Sequence, residues 1–352
     1  MAVNLGSLVA PVKESISLDD LADNVVAVDA YNTIYQFITI IRQPDGTPLM
    51  DSQHRITSHL SGLFYRTISM MEHRITPVFV FDGIPPALKQ RTLEARMKHR
   101  EEAHAKWDKA LREGMIEEAR THAVASSRIT KEIVTSAKEL LDYMGIAHIQ
   151  APSEGEAQTA RMTREGLTYA SASQDYDLFL FGSDVVVRNL TISGRRKLPR
   201  KNAFVDVTPE RILLKSLLDN LGLTQRQLIW LGILVGTDFN EGIDGVGPKT
   251  ALKIVKEKRS LQEIKEYVKS KYGKEFEVEP EEVEAVFTDP ETIEIKRAEL
   301  DAMKNAKPNK EGIIEFMCEK HGFSEDRVGK FADALVRLRS RIGQKGIGDW
   351  AG

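Results

Sequence analysis

The chain has 352 residues, and its 49 lysines and arginines nearly balance 52 acidic residues, so net charge alone does not indicate a polyanionic partner. A single cysteine, Cys318, excludes an internal disulfide framework and fits a reducing compartment. The N-terminus lacks the features of a secretion signal, and no apolar run approaches the roughly 18 residues of a membrane span. We therefore expect a soluble, cytoplasmic protein without membrane contact.

Six short β-rich segments separated by helical stretches predict an α/β fold with a mostly parallel sheet. Their nearly continuous apolar character is typical of strands covered by helices on both faces. The segments are NVVAVDA (24–30), TPVFVFDG (76–83), AHIQAP (147–152), TYASAS (168–173), DVVVRNL (184–190) and AFVDV (203–207). Residues 207–260 predict helices, and the acidic stretch 274–301, which shows little periodicity, is interpreted as a solvated wrap around the core.

Between the second and third predicted strands, residues 87–130 are a hydrophilic insertion of strong helix formers with few apolar residues. From Lys89 to Arg112 it carries eight basic residues against four acidic ones. Because Lys89 and Arg96 are seven residues apart, they lie on nearly the same face of one helix. The composition suits either a solvated helix or a cationic surface that stabilises a phosphate close to Asp82.

Carboxylates follow four consecutive predicted strands. In open parallel sheets, ligands bind beyond the carboxyl ends of the strands, so we expect these side chains to lie at one edge. The six residues are Asp29, Asp82, Glu154, Glu156, Asp175 and Asp177. Asp238, in GTDF, opens a loop in the helical segment and is a candidate seventh member of the cluster.

Each carboxylate also has an ordinary structural explanation. Asp82 with the glycine after it is a turn dipeptide, Asp175 or Asp177 suits a helix cap, and Ser153 with Glu156 has the spacing of a capping box. Six like charges at one edge, however, would repel and raise one another's pKa. Divalent cations relieve that repulsion, and oxygen ligands alone suit Mg²⁺ or Mn²⁺. Two such ions about 4 Å apart promote phosphodiester cleavage, so the sequence predicts metal-dependent hydrolysis of nucleic acid.

Two further segments have the composition of phosphate contacts. RNLTISGRRKLPRK (188–201) contains six basic residues and no acid, which is typical of a hairpin or loop on nucleic acid. Its candidate contacts are Arg195, Arg196, Lys197 and Lys201. GIDGVGPK (242–249) is a glycine-rich turn before a helix, where backbone N–H groups and the helix N-terminus favour an anion. Its candidate contacts are Gly245, Gly247 and Lys249.

Together these motifs resemble the flap endonuclease family of structure-specific nucleases, in particular its archaeal members. They follow the family's order along almost the whole chain: VAVDAYNTIYQF, RQPDGTPLMDSQHRITSHLSGLFYRT, VFVFDG with a following PP, APSEGEAQ, ASQDYD and GTDFNEGIDGVGPK. The resemblance implies a PIN-like nuclease core with a mostly parallel sheet flanked by helices, a helical arch insertion and a helix-two-turn-helix DNA-binding element.

The resemblance also implies a division of the chain. The nuclease core would comprise residues 1–86 and 131–225, with the arch at 87–130 between them. The helix-two-turn-helix region would span 226–260, a C-terminal helical region packed on the core 261–340, and a tail 341–352.

Individual roles follow from the same resemblance. The seven carboxylates would hold two Mg²⁺ ions, for which Mn²⁺ substitutes, and Lys89 and Arg96 would engage the scissile phosphate. Tyr35 would stack on a base next to the cut, and Arg42 would contact the DNA nearby. The 242–249 loop, with a K⁺ ion, would grip the duplex backbone.

The implied function is a Mg²⁺-dependent 5′-flap endonuclease with 5′-3′ exonuclease activity, acting as a monomer on 5′ flaps and nicked or gapped duplexes in Okazaki fragment maturation and long-patch base excision repair. One alternative is another 5′ nuclease of the superfamily, an exonuclease or a junction resolvase, against which the compact arch argues. The other is a non-catalytic adaptor for DNA junctions or the sliding clamp, against which the retained carboxylates argue.

The chain departs from the family pattern at three positions. Ala2 replaces a glycine, Ile84 replaces a lysine in the DG-K-PP motif, and Ala351 replaces the second aromatic residue of the sliding-clamp motif. We expect weakened clamp binding through residues 344–351, while an ordinary frayed chain end is the alternative. The clamp-motif positions that fit are Gln344, Ile347 and Trp350.

Overall fold

The structure, a computed structural model, describes residues 3–43, 46–113, 115–197 and 204–348. Over these ranges the strands are β1 Glu14–Ser15, β2 Val25–Asp29, β3 Thr76–Phe81, β4 His148–Gln150, β5 Ala170–Ala172, β6 Val185–Arg188, β7 Gly194–Lys197, β8 Phe204–Val207 and β9 Glu210–Leu213. Seven of them form one sheet in the order β1-β9-β6-β5-β2-β3-β4. The five strands from β6 to β4 run parallel, and β9 and β1 extend that sheet antiparallel.

Helices surround this sheet. Within the described ranges they are α1 Gly6–Val9, α2 Ala30–Ile40, α3 Ser58–Glu72, α4 Gln90–Arg112, α5 Ile116–Ala125, α6 Lys131–Met144, α7 Gly155–Arg164, α8 Asp177–Leu180, α9 Leu214–Leu221, α10 Gln225–Val235, α11 Pro248–Glu257, α12 Leu261–Tyr272, α13 Pro280–Thr288, α14 Arg297–Lys304, α15 Lys310–Ile314 and α16 Glu325–Gly348. Short 3₁₀ turns and one π-helical segment complete the chain: Ala10–Val12, Asp19–Leu21, Ala87–Lys89, Leu190–Ile192 and the π-helix Glu315–Lys320.

The alternation of side chains along β2 and β3 builds two apolar layers. Val26 and Val28 pack in the layer that contains α2, α3 and α6, while Ala27 packs in the layer that contains Met162 of α7. All three residues are fully buried. Because the central strands are covered on both faces, their sequences are almost continuously apolar. The predicted mostly parallel sheet flanked by helices is confirmed.

The prediction that residues 203–207 belong to this sheet is wrong. β8 instead pairs antiparallel with β7 in a two-stranded ribbon, with Arg195 opposite Asp206. β7 carries three consecutive basic residues, whose charges would be buried in a central position between helices, so this pair forms outside the main sheet. The chain joins the main sheet a few residues later, at β9, within a segment for which the sequence predicted only helices. β9 carries Glu210 and Arg211, which pair with Arg188 and Glu14 on its neighbours, so it has no apolar run that would mark it as a strand.

The interpretation of residues 274–301 as a solvated wrap is also wrong. Val283 and Phe287 of α13 and Leu300 of α14 are buried. Glu284, 7% exposed, accepts hydrogen bonds from Arg226 and from the Trp230 indole (2.6 Å), which ties the acidic stretch to α10. Buried positions three or four residues apart anchor these helices in spite of their acidic outer faces.

The predicted helical insertion forms α4 and α5, which we call the arch; it leaves the core after β3 and returns at α6. The division of the chain into nuclease core, arch, DNA-binding region and tail stays a prediction. Among the helices described, none has both the length and the apolar character needed to cross a membrane.

Candidate metal centre and nucleic-acid interface

The seven predicted carboxylates converge on the edge where the parallel strands end. The first six follow the strands as expected: Asp29 closes β2, Asp82 follows β3, Glu154 and Glu156 lie at the start of α7 after β4, Asp175 follows β5 and Asp177 begins α8. Asp238 reaches the same edge from the loop after α10. The carboxylates are electrostatically coupled. The charges of Glu154 and Asp238 raise the pKa of Asp82, and those of Asp29, Asp175 and Asp177 raise the pKa of Glu156.

The tightest group contains Asp29, Glu156 and Asp175. One oxygen from each of the three carboxylates lies within 4.8 Å of the other two. Asp29 also caps α2 by accepting from the backbone N–H of Asn32 (3.0 Å), and it accepts from the Ser173 hydroxyl (2.9 Å). The Asn32 amide in turn donates to Asp175 (2.9 Å), so the first turn of α2 orients two members of the group.

One oxygen of Glu156 indicates what this group is built to hold. Its Oε1 is buried and, within the described ranges, accepts no hydrogen bond. A buried carboxylate oxygen without a donor is costly unless a cation occupies the space beside it. Oxygen donors at this spacing are the ligand set of Mg²⁺ or Mn²⁺, so the residues present fit a hard divalent cation.

The glycine between Glu154 and Glu156 in APSEGEAQ is required for a steric reason. The backbone N–H of Gly155 donates to Asp82 Oδ1 (2.8 Å). A Cβ at position 155 would lie only 2.5 Å from that oxygen, so no larger residue fits without displacing the Asp82 carboxylate. Asp177 is held similarly by the backbone N–H of Val3 (2.8 Å).

The predicted capping box of Ser153 and Glu156 is wrong. α7 begins at Gly155 with Glu154 in the N-cap position, and the Glu154 side chain makes no cap hydrogen bond. The reason is electrostatic: Glu154 is bound by the Lys89 ammonium, and the Glu156 carboxylate lies among the other acids. Both glutamates therefore serve the carboxylate cluster instead of the helix end.

The foot of the arch places two cations against this cluster. Lys89, in the 3₁₀ turn before α4, contacts both Glu154 and Asp238 (3.3 Å), and its side chain is only 12% exposed. Arg96, two turns further along, also pairs with Asp238. The two residues thus reach one carboxylate from one side of the arch, as their spacing predicted.

Burial and mutual repulsion strongly raise the pKa values of the acids in the cluster. Burial first, and then neighbouring carboxylates, raises the pKa of Asp29 to about 8, of Asp82 to about 6 and of Asp177 to about 7. The same causes raise the pKa of Asp175 and hold that of Glu156 well above its ordinary value.

The cations act in the opposite direction. Burial disfavours the charged form of Asp238, but Lys89 and Arg96 outweigh it and lower its pKa. Burial likewise disfavours the Lys89 ammonium, yet Glu154 and Asp238 raise its pKa. The arch cations therefore lower the pKa of Asp238, whereas burial and like charges raise the pKa of the acids deeper in the cluster.

The residues predicted to contact DNA lie in different settings. Tyr35 is half-buried on α2. Arg42 bonds within the chain: it donates to the Ile38 carbonyl (2.9 Å), the Gly46 carbonyl (2.6 Å) and the Ser127 hydroxyl. It thereby links the end of α2 to the returning end of the arch.

The two phosphate-contact segments are the turn that leads into α11 and the stretch that starts at the end of β6 and contains β7. Gly245 has a positive φ of 84° and Gly247 precedes α11, and a Cβ at either position would meet nothing within 4 Å. The glycines therefore leave room for an approaching partner, and Lys249 is exposed beside them. Arg195, Arg196 and Lys197 lie in β7, whereas Lys201 lies outside the described residues.

The remaining predicted positions lie at the chain ends and beside Asp82. Gln344 and Ile347 fall within α16, while Ala2, Trp350 and Ala351 lie outside the described residues. The side chain of Ile84 is 81% exposed next to the carboxylate site.

Sequence reasoning missed Asn32, Ser173 and Gly155 as parts of the site. The position of Asn32 is recognisable in the sequence, because it lies three residues after Asp29 at a helix start, where an N-cap aspartate accepts from a backbone N–H. Ser173 and Gly155 carry no such signal, because their roles depend on partners more than 70 residues away in the chain.

Comparisons with known proteins agree with this geometry. Residues 1–103 match the family model of the XPG N-terminal domain, and residues 145–238 match that of the XPG I-region. The chain is 49% identical to the flap endonuclease 1 of Staphylothermus marinus, covering 99% of this chain and 98% of the relative. It is also 49% identical to the flap endonuclease 1 of Thermococcus onnurineus, covering 100% and 99%.

Solved structures give the same relationship. Flap endonuclease-1 from Methanococcus jannaschii superposes with a TM-score of 0.74 at 36% identity, covering 96% of this chain and 99% of that one. The catalytic core of Rad2 in complex with DNA substrate superposes with a TM-score of 0.67 at 25% identity, covering 95% and 100%.

Proposed function

The chain belongs to the flap endonuclease family, and on that premise we propose that it is a Mg²⁺-dependent 5′-flap endonuclease with 5′-3′ exonuclease activity. It cuts branched DNA where the single strand meets the duplex, in Okazaki fragment maturation and long-patch base excision repair. The observation that carries the proposal is the meeting of seven carboxylates with Lys89 and Arg96 at one buried edge of the sheet.

Two divalent cations fit the site because its donors are carboxylate oxygens, one of which is buried without a partner. Asp29, Glu156 and Asp175 would hold one ion, and the other carboxylates, directly or through water, the second. When bound, the two ions lower the pKa of an attacking water and neutralise charge on the leaving oxygen. Mn²⁺ has the same ligand preference and would substitute for Mg²⁺.

Lys89 and Arg96 bind and orient the scissile phosphate. The ammonium has three donors and the guanidinium five, more than the present carboxylate contacts use. Both cations lie at the border of the cluster, so a phosphate entering from the arch side would meet them before it meets like charges. There they stabilise negative charge that develops on the phosphate oxygens during cleavage.

The DNA around the cut is held by separate surfaces. The open backbone at Gly245 and Gly247, with Lys249 and a K⁺ ion, grips the duplex. The basic segment 188–201 contacts further phosphates. Tyr35 stacks on a base next to the cut, and Arg42 acts close by.

Contact with a sliding clamp through residues 344–351 belongs to the same proposal, weakened by Ala351. A fluorescence titration with a clamp would test it, and equal affinity of the chain with and without these residues would remove the motif from the proposal.

The decisive experiment uses a labelled duplex that carries a 5′ flap and a one-nucleotide 3′ overhang at the junction, incubated with Mg²⁺ or with EDTA. We expect one product, cut near the junction and lost in EDTA. The variants Asp29→Asn and Asp177→Asn should bind the flap substrate but not cut it. Asp219→Asn, on the exposed end of α9, is the matched control and should cut normally.

Other outcomes point elsewhere. Preferred cutting of four-way junctions would indicate a resolvase, and stepwise shortening without a junction product would indicate an exonuclease. Binding without cutting in Mg²⁺ and Mn²⁺ would favour the adaptor function.

A further inference from the structure

Asp175 is held differently from other acids of the carboxylate cluster. Asp29, Asp82 and Asp177 each accept a hydrogen bond from a backbone N–H group. Within the described ranges, the donor to the Asp175 carboxylate is instead a side chain, the amide of Asn32 (Nδ2 to Oδ2 2.9 Å). A backbone donor is fixed by the fold, whereas a side-chain amide can rotate about its last bond. The position of Asp175 therefore depends on what holds the Asn32 amide.

The backbone of the Asp175 loop determines which way the Asn32 amide points. The backbone N–H of Gln174 lies 3.3 Å from one of the two terminal atoms of this amide. Because a backbone N–H can only donate, that atom is the carbonyl oxygen Oδ1. The other atom is then the nitrogen Nδ2, which faces Asp175 as a donor.

Gln36 lies one helical turn after Asn32 on α2 and holds the same amide from the other side. Its Nε2 donates to Asn32 Oδ1 and lies 3.3 Å from the Asn32 backbone carbonyl oxygen. Both of these oxygens are acceptors, so the Gln36 atom that faces them must be nitrogen. Gln36 thus donates to Asn32, and Asn32 donates to Asp175; we call these three residues the amide relay.

The orientation of Gln36 leaves the other end of its amide without a partner. Gln36 Oε1 is buried and, in the part of the chain that the structure describes, accepts no hydrogen bond. Amide pairs four residues apart also occur on ordinary helix surfaces, where solvent satisfies both ends. A buried acceptor without a donor lowers stability instead. Such a local inconsistency is expected where a residue serves a site more than it serves the fold.

The amide relay directs a donor at one carboxylate of the tightest group, which contains Asp29, Glu156 and Asp175. A hydrogen bond donated to a carboxylate favours its charged form, and that is the form that binds a cation. Replacing a residue that orients a metal ligand typically changes metal affinity or activity by about 10- to 100-fold. The relay therefore bears on how tightly this group holds an ion.

We propose that Gln36 is a positioning residue for Asp175 and that it acts through the Asn32 amide. The proposal rests on the proposed function in one respect, namely that Asp29, Glu156 and Asp175 hold a divalent cation. It adds a residue whose hydrogen bonds, in the described ranges, all go to Asn32 and not to a carboxylate.

Three variants test the amide relay: Gln36→Met, Asn32→Ala and the double variant. Gln36→Met keeps a long side chain of good helix propensity but has no N–H donor and no amide oxygen. Asn32→Ala removes the middle of the relay, while the backbone N–H at this position can still donate to Asp29 and cap α2. Gln262→Met, on the exposed face of α12, is the matched control.

Thermal melting in EDTA separates positioning from a merely structural role. Because Gln36→Met also removes a buried oxygen that has no donor, we expect it to melt at the wild-type temperature or above. A lower melting temperature that accompanies every loss of metal affinity would assign Gln36 to the stability of α2 and overturn the proposal.

Binding of Mn²⁺ without DNA is the main readout, measured from the electron paramagnetic resonance signal of the free ion. We expect Gln36→Met to weaken the affinity by about tenfold and Asn32→Ala by at least as much. Since Gln36 acts through Asn32, the double variant should lose no more than Asn32→Ala alone. Flap binding in EDTA should be unchanged, whereas the Mg²⁺ concentration for half-maximal cleavage should rise by about tenfold in Gln36→Met.

Several results would contradict the relay. Unchanged Mn²⁺ affinity in Gln36→Met, additive losses in the double variant, or an equal loss in Gln262→Met would each overturn it. A wild-type protein that binds no Mn²⁺ would overturn the relay and the metal centre together. If the wild-type protein binds Mn²⁺ but leaves the flap uncut, the proposed function fails, and the Mn²⁺ titrations still decide whether Gln36 acts through Asn32.

Discussion

Glu154 occupies the N-cap position of α7, yet its carboxylate is bound by Lys89 at the foot of the arch and not by the backbone of its own helix. The contact joins the arch to the carboxylate cluster through a nearly buried ion pair. Glu154 therefore contributes to the site and does not cap its own helix. Such a local departure from helix-capping rules is expected where function constrains a fold.

Removing this cation should therefore affect chemistry more than folding. We expect Lys89→Met to lower the single-turnover cleavage rate by about 100- to 1,000-fold, the usual cost of one lost charge-stabilising donor, with flap binding changed far less. Lys98→Met, on an exposed part of α4, is the control and should leave the rate unchanged. A Lys89→Met protein that cuts at the normal rate would remove Lys89 from the reaction.

The raised pKa values predict an unusual pH dependence of metal-free stability. An acid whose folded pKa is raised binds protons more tightly when folded, so the free energy of unfolding falls as pH rises from the unfolded pKa, near 4, to the folded one. With Asp82 at about 6, Asp177 at about 7 and Asp29 at about 8, the loss should extend over pH 4 to 8. Melting curves in EDTA across this range would measure it, and Mg²⁺ should reverse it.

Neutralising one acid tests the same electrostatics without changing pH. Asp177→Asn removes a buried charge from a repelling cluster, so in EDTA at pH 8 the variant should melt at a higher temperature than the wild-type protein. In saturating Mg²⁺ the order should invert, because the variant lacks one of the proposed metal ligands. A variant that melts lower under both conditions would mean that charge repulsion does not dominate the stability at this position, since asparagine can still accept the Val3 hydrogen bond.

Much of this site was predictable from sequence and part of it was not. Nearly continuous apolar runs mark the strands, and acids follow four of them, so Asp29 and Asp82 were placed by the ends of those runs. Lys89 and Arg96 followed from helical spacing. The contact between Glu154 and Lys89 could not be predicted from the sequence. A capping pattern involves only neighbouring residues, whereas Lys89 is 65 residues away from Glu154 in the chain.

The missed elements have a similar cause. β9 is recognisable only through its neighbours, since Glu210 and Arg211 are neutralised by Arg188 and Glu14 across the sheet. Gly155 is required by the position of Asp82, which no neighbouring residue reveals.

Gly155 itself offers a steric test of the site. In Gly155→Ala the new Cβ would lie 2.5 Å from Asp82 Oδ1, so the carboxylate or the start of α7 must move. We expect a loss of about 1–3 kcal/mol in the free energy of unfolding and a large loss of cleavage. Gly329→Ala in α16 is the matched control: its Cβ meets nothing within 4 Å, and it should stabilise the helix by about 0.5–1 kcal/mol. Normal cleavage by Gly155→Ala would show that the Asp82 position is not critical.

Ile84 gives a prediction specific to this chain. Its backbone N–H donates to the Pro152 carbonyl (3.0 Å), which fixes the position, while its side chain is 81% exposed beside Asp82. A lysine there would present a cation to DNA phosphates at the site border. We therefore expect Ile84→Lys to tighten flap binding at low salt and to steepen the dependence of log Kd on log salt by about one unit per added phosphate contact. Fluorescence anisotropy between 50 and about 200 mM salt would measure the slope.

Met303→Lys separates a local contact from a general change in net charge. Met303 is 41% exposed on α14, outside the carboxylate edge, and the substitution adds the same charge. If both variants steepen the salt dependence equally, the effect of Ile84→Lys is only a net-charge effect. If neither does, position 84 does not approach the phosphates. If only Ile84→Lys steepens the salt dependence, position 84 lies close to the DNA phosphates. The isoleucine would then be an apolar residue at a place where a cation strengthens DNA binding beside the cut.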